Sequence, residues 1–305
     1  MDVYAVVTDR IIAEMEKGII PWQRPWVGVA EGAIRRSNGR PYSLINQLLL
    51  GRPGEYLTFK QCQDEGGKVK KGAKAQLVVF WKLMHREKKD SSGNVVLDSN
   101  GLPVDDPLPV LRYYNVFHIS DCEGITPKYS AEHLPDTASP VERADEIISD
   151  YSDRSKLTIE HSKQNRAFYS PSRHLVSLPV MEQFESSAGY YATAFHELTH
   201  STGHKSLLNR FAKTDEVAAF GSESYSKEEL VAEIGACGIL HELGIETEKS
   251  FRNNAAYIQS WLAALKNDKK LIVSAASRAE KAIRLILGTE EETESIGRGT
   301  IHGTV

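Results

Sequence analysis

The apolar residues Val3, Val6, Ile11, Ile12 and Met15 fall at helical spacing and Lys17-Gly18 closes the pattern, so an amphipathic helix opens the chain. A Pro- and Trp-containing loop over 21–26 leads to a second helical stretch, Tyr42–Leu50. The texture then changes. Glu55–Phe59, Gln76–Lys82 and Arg112–His118 are rich in β-branched and aromatic residues, the composition of strands. Between the last two, Asp90–Pro109 is polar and carries the turn signals Ser91-Ser92-Gly93-Asn94 and Asn100-Gly101, which predict an excursion or a small surface hairpin.

Residues 124–140 contain Pro, Ser and Thr without periodicity, as a linker does. The expected organisation is a first domain over 1–125, a linker over 126–140, a second domain over 141–288 and a disordered acidic tail over 289–305. In the second domain a helix over 141–151 precedes strands at 157–159, 167–169 and 174–178. Helices follow at 187–202 and 227–243, then a pair between 253 and 287 broken near Asn267-Asp268. The fold class is α+β in two domains.

At 305 residues and 41% hydrophobic composition the chain can fill two cores. It contains no apolar run of about 18 residues, and Met1-Asp2-Val3-Tyr4 lacks the basic start of a signal peptide, so the expectation is a cytoplasmic protein with no membrane partner. Cys62, Cys122 and Cys237 are odd in number and never form a C-x-x-C pair, which predicts packing residues rather than disulfides or a thiolate metal site. The net charge of −4 is unevenly spread: 13 Lys or Arg stand against 4 acidic residues between Arg35 and Lys89, whereas 126–305 has an acidic excess of about 6. A DNA mimic needs a strongly acidic surface, which this balance excludes.

His196-Glu197-Leu198-Thr199-His200 is an H-E-x-x-H motif within a helical pattern. Two imidazoles one turn apart reach a single tetrahedral ion, and Glu197 projects beside it as the general base of a zinc hydrolase. The third ligand is open. A metzincin arrangement has Gly203 in place but Ser206 where its third His belongs, and His204 follows His200 too closely. A carboxylate from the next helix is the other solution, with Glu229 as ligand and Glu233 one turn on as its alternative or as acceptor of a ligand histidine's ring N–H. Against this, Ser226 and Glu229 also have the spacing of a capping box. Tyr225, His204, Tyr190 and Tyr191 are the nearby candidates for an oxyanion donor.

The first half interleaves aromatic and basic residues, the composition of a surface that stacks bases and follows phosphates of single-stranded DNA. Trp22, Arg24, Trp26, Arg40, Tyr42, Lys60, Lys70, Lys71, Lys74 and Trp81 are the candidate contacts.

Taken together, Gly18-Ile19-Ile20-Pro21-Trp22-Gln23-Arg24-Pro25-Trp26, Asn38-Gly39-Arg40-Pro41-Tyr42, Tyr114-Asn115-Val116-Phe117, the run Phe195–His204, Glu228–Glu233 and Asn254–Trp261 resemble the plasmid antirestriction ArdC family, whose first domain is also similar to the front of TraC-type plasmid primases. The resemblance spans nearly the whole chain. It implies a single-stranded-DNA-binding domain followed by a zincin-like metallopeptidase domain, acting on an unidentified protein and protecting incoming conjugative DNA from host restriction. Zn2+ is the cofactor expected, with Mn2+ or Co2+ able to occupy the same ligands. The alternative is a single-stranded-DNA-binding protein whose zinc site is structural.

Overall fold

A computed structural model describes residues 2–23, 32–129, 139–211, 223–245 and 255–289, with the side chains of 223–226 and 255–257 outside that description. Much of the expected linker and almost all of the expected tail lie outside the described residues. The chain divides into two compact units, one formed by 1–132 with Leu265–Val273 and the other by the remainder.

In the first unit, helix α1 (Val3–Met15) is capped by Asp2, whose side chain accepts from Tyr4 N, and buries Val7, Ile11, Ile12 and Met15. Strands β1 (Ala33–Arg35), β2 (Gly54–Leu57), β4 (Gln76–Met84) and β5 (Leu108–His118) form a sheet in the order β1-β2-β5-β4. Only the β1–β2 pair is parallel. Helix α2 (Leu44–Leu50) supplies two buried side-chain amides that stand in for missing strands. Asn46 bonds both Val79 N (2.7 Å) and Val79 O (2.8 Å), and Gln47 bonds Ala33 N (2.7 Å) and Ala33 O (2.9 Å). Each buried backbone group left unpaired would cost about 1–3 kcal/mol.

Phe59, expected at a strand end, is instead the first residue of helix α3 (Phe59–Asp64), because Thr58 and Gln61 close a capping box ahead of it. The short strands β3 (Lys68–Val69) and β6 (Cys122–Glu123) pair with each other. Cys62 and Cys122 pack with Leu57 in one apolar cluster and Cys237 is buried in the second unit, so all three cysteines are free core residues. The stretch between β4 and β5 is a surface excursion folded into two tight turns. Asp90 accepts from Ser92 N and Asn94 N, and Asp98 accepts from Asn100 N and Leu102 N. Deeper in the unit, Arg36 is ion-paired with Glu55 and Glu65, and Glu55 also accepts from Lys128 N and Tyr129 N (2.5 and 2.7 Å).

The second unit begins with helix α4 (Pro140–Ser155), started by Pro140 at its first turn and a Ser139–Glu142 capping box. Strands β7 (Thr158–Ser162), β8 (Phe168–Ser170) and β9 (Leu175–Pro179) form a sheet with β9 central and buried along its length. Helices α5 (Ser187–Ser201), α6 (Glu223–Glu242), α7 (Ala255–Asn267) and α8 (Leu271–Leu287) follow, the end of α7 and the start of α8 over Leu265–Val273 being counted with the first unit. Two glycines permit close packing of α6. A Cβ on Gly235 would lie 2.6 Å from Thr199 Cγ2 on α5, and one on Gly238 2.4 Å from Ile283 Cδ1 on α8. Among the described residues no helix is long and apolar enough to cross a membrane.

Candidate metal centre

Ser186 starts α5 by accepting from Gly189 N, and Tyr191, Ala194, Phe195 and Leu198 bury the inner face of the helix. That burial fixes the rotation that places His196 and His200 together, with their Nε2 atoms 3.2 Å apart. Helix α6 brings Glu229 to the same point, 3.5 Å from His196 Nε2 and 3.3 Å from His200 Nε2. Ligand atoms about 2.1 Å from a tetrahedral ion stand about 3.4 Å from one another. The Nε2–Nε2 separation is close to that edge, Glu229 turns Oε2 toward His196 and Oε1 toward His200, and one ligand atom from each of the three lies within 4.8 Å of the others, the one such His/Cys/Asp/Glu group among the described residues. The cap alternative for Glu229 fails, because α6 already begins at Glu223 and Ser226 lies inside it.

Behind each imidazole stands a further carboxylate. Glu233 Oε2 is 3.7 Å from His196 Nδ1 and Glu228 Oε1 is 3.6 Å from His200 Nδ1, within ion-pair reach though longer than hydrogen bonds. Each ring thus turns Nε2 toward the common point and Nδ1 toward an acid, the arrangement that fixes a ligand histidine's tautomer. Glu228 is itself held by Arg210, whose Nη2 lies 2.6 Å from Glu228 Oε1 and donates to the Thr199 carbonyl, while Nη1 donates to Thr202 Oγ1. Sequence reasoning missed Glu228 and Arg210 as site residues. The only signal for Glu228 was its place next to Glu229, and Arg210 lies outside any helical repeat.

Burial alone would lower the histidine pKa values, but Glu229 and Glu233 push His196 up to about 10. Glu228 and Glu229 push His200 up to about 9. Burial would raise Glu229, yet the two histidines hold its carboxyl far below the usual range. Two imidazolium rings with facing Nε2 atoms repel each other, and a divalent cation shared by two neutral rings and one carboxylate removes that conflict. The donor set therefore fits a divalent ion of the zinc class with three protein ligands.

Glu197 is buried beside the group at 9% exposure. Of the oxyanion candidates, Tyr191 is wholly buried and donates to Asp145 Oδ1 (2.9 Å), so its hydroxyl is committed elsewhere. The Tyr190 hydroxyl is 2.9 Å from His161 Nε2. His204 lies past the end of α5, stacked on His174 at 4.1 Å between centroids and with Nδ1 2.7 Å from Ser206 Oγ. The Tyr225 side chain lies outside the described residues.

For the aromatic and basic candidates of the first unit the structure makes corrections. Trp22 and Tyr42 are core residues, 1% and 4% exposed, and offer no ring face to a base. Trp81 is 54% exposed, and Arg40, Lys60, Lys70, Lys71 and Lys74 are exposed. Lys70 Nζ also donates to the Ser120 carbonyl. Arg24 and Trp26 lie outside the described residues.

Two family models match the chain: the N-terminal domain of anti-restriction factor ArdC over residues 1–117, and zincin-like metallopeptidase over 142–278. Two DNA primases TraC of Escherichia coli are each 37% identical to it over 94% and 95% of its length. The chain spans only 27% and 20% of those primases. Crystal structures of the antirestriction protein ArdC from plasmid R388 also match. The metal-free form has a TM-score of 0.71 at 36% identity, covering 94% of this chain and 97% of that one. The Mn(II)-bound form has a TM-score of 0.71 at 34% identity, covering 96% and 100%.

Proposed function

Because the chain belongs to the ArdC antirestriction family, we propose that it protects incoming conjugative DNA from host restriction by joining a single-stranded-DNA-binding unit to a metal-dependent peptidase. The observation that carries the peptidase half is the convergence of His196, His200 and Glu229, one ligand atom from each within 4.8 Å of the others, with Glu197 alongside. Three protein ligands leave a fourth position open, which is the catalytic rather than the closed structural pattern. Zinc suits this donor set best; the Mn(II)-bound form of the R388 protein supports manganese as a second occupant.

When bound, the ion supplies Lewis acidity at the open position. His196 and His200 face it with neutral Nε2 atoms, their Nδ1 protons directed at Glu233 and Glu228. Glu197 takes the proton of the attacking water and returns it to the departing amine. The low exposure of Glu197 limits its competition with bulk water. The substrate is a protein cut at a peptide bond.

The excess of 13 Lys or Arg over 4 acidic residues between Arg35 and Lys89 supports the nucleic-acid half, while the match to TraC covers only 27% and 20% of those primases and carries no primase activity to this chain. Glu197→Gln tests the reading: metal content should stay at wild-type level while protection of an incoming plasmid from host restriction is lost. Full protection by that variant would replace the peptidase with a structural metal site, which has no use for a general base.

A further inference from the structure

The β4–β5 ribbon alternates its side chains between two faces, and register places Val78 opposite Tyr114 and Phe80 opposite Arg112 on one of them, with Lys82 two residues beyond Phe80. Toward Gln76 this face is core: Val78 and Val116 are buried with Ala33, Tyr56 and Leu50. Toward Met84 it is open, with Phe80 40% exposed and Arg112 and Lys82 exposed beside it. The rings are continuous. Phe80 leans on Tyr114 at 5.3 Å between centroids, Tyr114 meets the buried Tyr42, and the Arg35 guanidinium lies 5.3 Å over Tyr42.

We infer that single-stranded nucleic acid lies along this face, with a base stacked on Phe80 and phosphates held by Arg112, Lys82 and Arg35. The inference rests on the reading of the first unit as a single-strand binder and says where that binding occurs. Charge argues for the occupant: β4 and β5 contain no Asp or Glu, and among the described residues Lys82 and Arg112 have no carboxylate partner, Arg112 Nη2 standing 3.5 Å from Met84 Sδ. A protein partner would instead leave those cations unmatched unless it were acidic. An exposed ring held by a second ring on a sheet, flanked by cations without a carboxylate partner, is a stacking platform. Of the other exposed aromatics, Tyr113 lies opposite Val79 on the other face of the ribbon, and Trp81 and Phe59 serve less well. Trp81 points to the opposite face, edge-on to Tyr4. Phe59, on α3, shares its short helix with Asp64.

The test is fluorescence anisotropy of a labelled 20-nucleotide oligothymidylate with the full chain, over a range of salt concentrations. Phe80→Ala should weaken binding about five- to hundredfold, and Phe80→Trp should preserve it. Lys82→Gln with Arg112→Gln, both exposed and safe for folding, should reduce the slope of log affinity against log salt by about 1.4. Trp81→Ala and Phe59→Ala should stay within about twofold of wild type if stacking belongs to Phe80. Wild-type affinity in both Phe80→Ala and the double cation variant, with strong binding by the wild type, overturns the placement and leaves the single-strand reading standing. Absence of binding by the wild type at any salt removes both.

Discussion

Replacing Arg210 with Met tests whether the outer shell of the metal site is held as the geometry indicates. Arg210 is 5% exposed at its side chain and Glu228 16%, so their bond is a buried ion pair, and the guanidinium also satisfies the Thr199 carbonyl and the Thr202 hydroxyl. Removing one member of such a pair typically costs about 3–5 kcal/mol. The lower end is expected here, because Glu228 keeps an imidazole 3.6 Å away that is charged at neutral pH in the metal-free protein. With a urea dependence of about 2 kcal/mol per molar, a loss of about 3 kcal/mol moves the unfolding midpoint of this unit by about 1.5 M. Circular dichroism in urea, with chelator present, reads this. Adding Glu228→Gln should recover part of the loss, since the stranded charge is then gone. A midpoint within about 0.3 M of wild type in Arg210→Met would refute the argument.

Gly235→Ala should weaken metal binding at least about tenfold, because its methyl would stand 2.6 Å from Thr199 and push Glu229 away from the histidines. Thr199→Ala in the same chain should restore affinity in a competition titration against a chelator; no effect of Gly235→Ala would mean the helices have room to spare. Metal binding should also depend on pH. In the metal-free protein the raised His196 and His200 pKa values, about 10 and about 9, make both rings charged at pH 7. Their ion pairs therefore contribute stability in full below about pH 6.5, which is lost as pH rises toward 9 and 10. Metal needs the neutral rings, so its apparent affinity moves oppositely, rising with pH until about 9 to 10, with release of up to about two protons below pH 9. Calorimetry in buffers of different ionisation enthalpy counts those protons, and a count of zero would contradict the charged metal-free pair.

The metal site was readable because His196, Glu197 and His200 lie within one helical turn and need only the periodicity of α5 to converge. Glu229 was readable as a type of ligand but not as the ligand, since Ser226 offered a rival role that only the start of α6 at Glu223 removes. Arg210 was invisible: it comes from a connection after α5, where no spacing rule links it to Glu228. The same limit governed the small elements. Strands of two or three residues such as β3 and β1 carry too little alternation to register, and α3 was hidden because Phe59 has strand composition while Thr58 and Gln61 define a helix start. Composition found the aromatic and basic character of the first half but not its sides. Trp22 lies in a loop without periodicity and Tyr42 lies ahead of α2, which starts at Leu44 rather than at Tyr42, so the sequence does not show that either is buried; the faces of β4 emerge only from its register with β5.

Metal content by mass spectrometry on purified wild type, His196→Ala, Glu229→Ala and Glu233→Ala decides whether His196, His200 and Glu229 hold a divalent ion. One equivalent of divalent metal in the wild type is expected. Loss is expected in the His196 and Glu229 variants, with only a 10- to 100-fold weakening, about the size seen for outer-shell changes, in Glu233→Ala. Metal kept by Glu229→Ala but lost from Glu233→Ala, or none bound by the wild type when zinc or manganese is supplied, would contradict that ligand set.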